Sequence, residues 1–294
     1  MLYAVTHSTT YLYADPVSLC HNLVHLRPRP APRQMCHQWL LVVQPEPRML
    51  AHDYDYFGNP ISLFTIQEPH KKLQVMVQHR LEVSPPPIAA WPEVPWERVR
   101  EMLRNDRAHL DACQFTFDSH FVQRSTPLAD YALPSFPPGR SILDAARDLT
   151  ARIHAEFRYD AKATTLATPL GEVLAHRHGV CQDFAHLAIG CLRSLGLAAR
   201  YVSGYLQTNA PAGRERLIGA DASHAWLAVY CPGVGWVDFD PTNNIVPGEQ
   251  HLTIAWGRDY DDISPIKGVI LGGGSHTMTI SVDVAPVPAL PLPV

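Results

Sequence analysis

Residues 178–187 read HGVCQDFAHL, with Cys181 two residues after a glycine at the head of a helical pattern. Phe184, Leu187, Ala188, Cys191, Leu192 and Leu195 continue it as one apolar stripe, and Gly196 stops it. Cys181 therefore falls in the first turn of a helix that is buried along one side. Upstream, residues 168–179 predict a helix with Thr168 as N-cap, Pro169 in the first position and Gly179 as terminator. Residues 141–157 predict another, with Ile142, Ala145, Ala146, Leu149, Ile153 and Phe157 at helical spacing behind Ser141 and Asp144. Downstream, LAARYVSGYL, HAWLAVY, GWVDFD and HTMTISVDV read as strands joined by turns such as CPGVG. Helices followed by strands predict an α+β domain, spanning 141–294.

The amino-terminal part has a different period. In LQVMVQHRLEV (73–83), Leu73, Val75, Val77, Leu81 and Val83 share one parity and the polar residues the other. YAVTHSTTYLY, HQWLLVVQP and NPISLFTIQ are similarly short and bounded by turn residues, so 1–84 predicts a small antiparallel β-domain. SPPPIAAWPEVPW (84–96) is too proline-dense for an element interior and marks a boundary. Residues 85–140 then form a proline-rich connector and a helical segment.

The 294 residues are 46% hydrophobic and 18% charged, enough for a proper core. A net charge of −4, with no basic run, excludes the electrostatic footprint of nucleic-acid binding. No apolar run is long enough for a membrane span and the first residues lack a leader pattern, so a cytoplasmic protein is expected, with no membrane partner. Six cysteines without a C-x-x-C pair predict reduced thiols rather than a disulfide framework.

A cysteine reacts as its thiolate and needs a base. The helix start supplies unsatisfied N–H groups and a dipole that favour an anion, and the same N–H groups suit an oxyanion. Cys191, inside the stripe, reads as core. The base must come from farther along, and DASHAWLAVYCPGVGWVDFDPTN (221–243) offers His224 with Asp238 and Asp240. In an antiparallel hairpin about CPGVG with Tyr230 opposite Trp236, Asp240 falls opposite Trp226, one diagonal step from His224. A tighter loop sets Asp240 directly opposite His224. Either register favours Asp240 over Asp238, giving Cys181 as nucleophile, His224 as general base then acid, and Asp240 as the group orienting the imidazole. Trp226 and Trp236 are expected to shelter the site or pack beneath it.

GVCQDFAHLAIGCLRSLGLAARYVSGYL and DASHAWLAVYCPGVGWVDFDPTN together resemble the core of the transglutaminase-like superfamily, related in fold to papain-like cysteine proteases. The β-domain resembles the bacterial transglutaminase-like N-terminal region, and GRDYDDISPIKGVILGGGSHTMTISVDV the tail of the same bacterial family. The resemblance implies a papain/transglutaminase-like core of helices packed on an antiparallel sheet, and it maps the family's Cys, His and Asp onto Cys181, His224 and Asp240. It also marks Tyr159, in FRYD, as a residue lining the cleft or supporting an oxyanion, against a plain reading as a core-packing aromatic. No cofactor or metal is implied: DYDD (259–262) is too short for a calcium loop.

The expected activity is thiol chemistry on a peptide or protein amide substrate through a thioester, as a cysteine peptidase or amidase. A glutamine acyltransferase or peptide ligase is the alternative. Two other classes compete: a zinc site drawn from His176, His178, Cys181 and His186, and a binding module carrying a relic triad. The second oxyanion donor, the physiological substrate and the oligomeric state are not legible.

Overall fold

The alternation at 73–83 is realised in the computed structural model, which describes residues 1–86, 91–160, 164–165, 168–208 and 222–288. Leu73, Val75, Val77, Leu81 and Val83 all point into the core, each at most 2% exposed. They lie on β5 (His70–Val83), which with β1 (Leu2–Val24), β2 (Gln34–Gln44), β3 (Met49–Tyr54) and β4 (Pro60–Ile66) builds an antiparallel sheet in the order β2-β5-β1-β4-β3. Of the connector, residues 87–90 lie outside the described residues.

Helices α1 (Trp96–Asn105), α2 (Leu110–Cys113), α3 (Thr126–Ala132) and α4 (Ile142–Glu156) follow, then β6 (Arg158–Tyr159), α5 (Leu170–His176), β7 (His178–Gly179) and α6 (Cys181–Ser194). The expected stripe of α6 is buried, and almost the whole helix is enclosed with it. Trp96, Val99, Leu103, Phe115 and Leu128 from the 85–140 segment share one core with Leu149, Phe184, Leu187 and Leu192. Each such side chain contributes roughly 1.5–3 kcal/mol by leaving water.

The second sheet runs β10-β9-β8-β11, from β8 (Ala199–Leu206), β9 (Ala222–Cys231), β10 (Gly235–Phe239) and β11 (His251–Gly257). Helices on this sheet make the α+β arrangement expected. At Gly204 on β8 a Cβ would run into the Leu252 carbonyl and the Trp226 ring, so a glycine is what lets β11 and Trp226 close in.

Two strands lie where sequence order does not predict them. β12 (Ile266–Gly272) and β13 (His276–Val287) hydrogen-bond to β1: Leu2 pairs with Val287, Tyr13 with His276, and Val24 with Ile266. The first half of β1 is flanked by β5 and β13, and the second by β4 and β12. The first sheet thus draws strands from both ends of the described chain.

That sheet also grips β11. Gln34 donates from Nε2 to the Thr253 carbonyl (2.6 Å) and accepts the Thr253 N–H (2.8 Å). Asn59 does the same at Trp256, donating at 2.8 Å and accepting at 3.0 Å. The Arg29 N–H bonds the Ile254 carbonyl between them, and its guanidinium lies 3.0 Å from the centre of the Trp256 ring. Side-chain amides thereby occupy an edge that would otherwise present unpaired N–H and C=O groups. Leu252 and Ile254 complete the joint against Tyr3, Val5, Leu81 and Val284. Among the described residues no helix is long and apolar enough to cross a membrane.

Candidate active site

Cys181 is the first residue of α6, and a short capping arrangement holds it there. Asp183 Oδ2 accepts the Val180 N–H at 2.8 Å and the Thr164 hydroxyl at 2.6 Å. A Cβ on residue 179 would sit 2.7 Å from that same oxygen, so the position needs glycine. This corrects the expected role of Gly179. It does not terminate α5; Arg177 does, at φ 57, and Pro169 rather than Thr168 is the N-cap.

The first backbone bond at this end of the helix runs from the Phe184 N–H to the Val180 carbonyl. The N–H groups of Cys181 and Gln182 precede the ladder, the usual situation of donors in a first turn.

The β9–β10 hairpin adopts the first of the two expected registers, with Tyr230 opposite Trp236 and Leu227 opposite Phe239. The ladder stops there, and Asp240 bridges to Ile245 instead. Its carboxylate is fully buried, with Oδ2 2.8 Å from His224 Nε2. Cys181 is close enough to His224 to act on it, and it is among the groups that raise the imidazole's pKa. The three residues drawn together by sequence reasoning are therefore together in space.

Their electrostatics follow from these contacts. Burial works to lower the pKa of His224, but the hydrogen bonds to Asp240 and Cys181 and their charges raise it from 6.5 to about 9. Burial works against the Asp240 carboxylate, yet bonds from His224, His251 and Asn243 hold it well below the usual range. Cys191, enclosed in apolar surroundings, is pushed up to about 12 by burial, the behaviour of a structural thiol.

Tyr159 is 56% exposed, which overturns its reading as a core-packing aromatic. Parallel pairing of β6 with β7 sets it opposite Gly179, and its phenol pKa is raised by burial and then by the charge of Cys181. It stands at the mouth of the site. Tyr201, not anticipated, is buried on β8, and its phenol is raised first by burial and then by Cys181. Trp226 packs beneath, its ring centre 6.0 Å from that of His224.

Two further residues escaped the sequence reading. Asn243 donates from Nδ2 to Asp240 Oδ2 at 2.7 Å, and His251, from β11, places Nε2 3.1 Å from the same oxygen. The DPTN turn hinted at the first, since the Thr242 and Asn243 N–H groups cap Asp240 Oδ1 as in an ordinary Asx turn. Nothing in the spacing signalled the second.

The zinc quartet does not assemble. His186 is buried with Nε2 accepting the Tyr260 N–H at 3.1 Å, while His176 and His178 stack on each other. Among the described residues, the one group whose possible metal-ligand atoms lie within 4.8 Å of each other is His224, Asp240 and His251, which are already engaged through hydrogen bonds to the carboxylate.

Comparison with known proteins places the chain in a family. The family model of the bacterial transglutaminase-like N-terminal region matches residues 3–82, and that of the transglutaminase-like superfamily matches residues 136–241. An uncharacterised Mycobacterium tuberculosis protein is 39% identical over 97% of this chain and 92% of its own. The chain belongs to the transglutaminase-like superfamily. A Pseudomonas aeruginosa protein-glutamine gamma-glutamyltransferase is 29% identical over 61% of this chain and 27% of its own length. In fold, this transglutaminase-like chain matches a Cytophaga hutchinsonii crystal structure, provisionally described as a cysteine protease, with a TM-score of 0.73 at 20% identity over 99% of this chain and 93% of the other.

Proposed function

We propose that the protein is a thiol enzyme acting on amide or peptide bonds, with Cys181 as nucleophile, His224 as general base and acid, and Asp240 as the orienting carboxylate. The observation that carries this reading is the buried Asp240 carboxylate hydrogen-bonded to His224, whose imidazole also feels Cys181 at the start of α6. The Cys181 sulfur attacks the carbonyl carbon, and first-turn N–H groups receive the developing oxyanion. As the C–N bond breaks, His224 protonates the departing amine and a thioester remains. Water, deprotonated by His224, then attacks the thioester and releases the acid and the sulfur. Hydrolysis is the favoured outcome because it needs no second substrate channel.

Transfer to an amine is the second reading, favoured by the likeness to the Pseudomonas gamma-glutamyltransferase. Incubating the protein with a glutamine peptide and a labelled primary amine separates the two. Hydrolysis releases ammonia with little label incorporated; stoichiometric incorporation assigns transfer. Absence of any acyl adduct on Cys181 by mass spectrometry, across a broad peptide and amide panel, contradicts both.

A further inference from the structure

We propose that His251 is a positioning residue for the triad, fixing the Asp240 carboxylate in line with His224, and that the N-terminal sheet acts on the site through it. The proposal rests on the triad reading above.

Five groups point at Asp240. Three belong to its own turn: the N–H groups of Thr242 and Asn243 and the Asn243 amide. These move with Asp240 and cannot fix it against the sheet. His224 is the partner to be oriented. His251 alone of the five is neither local nor reactive, and it comes from a different strand. Its ring is buried, and Nδ1 has no hydrogen-bond partner among the described residues. An unpaired buried nitrogen costs on the order of 1–3 kcal/mol, so this imidazole is placed for its one bond to the carboxylate. The Trp226 ring, edge-on at 5.2 Å between centres, sets its plane.

What holds His251 there is β11, joined to β8 by its ladder and to the N-terminal sheet by Gln34, Arg29 and Asn59. The clamp starts at Thr253, two residues from the histidine. Seating of the N-terminal sheet is therefore transmitted to the Asp240 oxygen through one short stretch of strand.

The test is the pH profile of iodoacetamide alkylation at Cys181, read by peptide mass spectrometry on the full chain. An isolated thiol loses about tenfold in rate for each pH unit below its ordinary range, whereas a sulfur paired with imidazolium keeps reacting. The wild-type chain is expected to keep reacting at about pH 6. His251→Phe should lose roughly tenfold or more there while matching wild type at about pH 10, and His251→Gln, whose amide still reaches Asp240, should restore most of the loss. His251→Asn, too short to reach, replaces the Phe variant if the latter melts below the assay temperature. A Phe profile superimposed on wild type overturns the proposal, as does equal loss in the Gln variant, which would mean packing alone. If wild type already matches His224→Ala, the triad reading itself fails and this inference with it.

Discussion

His224 Nε2 stands 2.8 Å from Asp240 Oδ2, and the Asp240 carboxylate is entirely enclosed. Asp240→Asn keeps the shape but removes the charge that stabilises the imidazolium and the acceptor that sets its tautomer. Turnover on any accepted amide substrate is expected to fall by about 10³–10⁴-fold with little change in KM. A loss below tenfold would count against Asp240 as the orienting group.

His186 tests the pH dependence of the fold. Burial lowers its pKa from 6.5 to about 3, so the unfolded chain binds a proton that the folded one refuses. Its contribution to stability is present above pH 6.5 and is lost as the pH falls towards 3. His186→Gln keeps an acceptor for the Tyr260 N–H but cannot titrate. The drop in Tm between pH 7 and pH 4.5 should be smaller in the variant; an undiminished drop contradicts the assignment.

For His224 the sign is opposite. Raised from 6.5 to about 9, it adds stability that is fully present below pH 6.5 and disappears as the pH rises through about 9. The Tm of His224→Phe should approach that of wild type between pH 6.5 and 9.5 as this term is lost. Parallel Tm curves over that window would exclude the imidazolium.

Gly179→Ala forces a methyl onto the Asp183 carboxylate that caps the Cys181 turn. Destabilisation of about 1–3 kcal/mol is expected, with slower alkylation of Cys181 at neutral pH. Thermal melting and alkylation kinetics on the same preparation check both; an unchanged melt would show that the turn relaxes freely.

Gln34→Leu strips both hydrogen bonds from Thr253. Stability should fall by about 1–3 kcal/mol, and kcat should fall more than KM rises, although the residue lies on the N-terminal sheet. A loss of stability without loss of kcat would separate the clamp from the site.

Much of this was readable because it is local or periodic. The parity of 73–83, the apolar stripe after Cys181 and the CPGVG hairpin each fix which face a residue occupies, so Asp240 falls beside His224 in either register the loop allows. His251 was hidden because HLTIAWG, which becomes β11, is not among the stretches legible as strands, and it reaches the site by lying next to β8, out of sequence order. HTMTISVDV marks β13 as a strand without naming β1 as its partner, and the stretch that becomes β12 carries no such alternation. Gly179 was misread because a glycine near a helix end has two uses, and only the position of Asp183 distinguishes a terminator from a close approach.

The pairing of Leu2 with Val287 has a consequence for biosynthesis. The edge of β1 that pairs with β13 along residues 2–13 stays bare until residues 276–287 have left the ribosome, by which time the segment carrying Cys181, His224 and Asp240 has been made. The protein cannot mature domain by domain from its first residues. Completion of the N-terminal sheet, and with it full seating against β11, follows synthesis of these strands, so the nascent chain acquires its final geometry only after the segment around Cys181 is already in place.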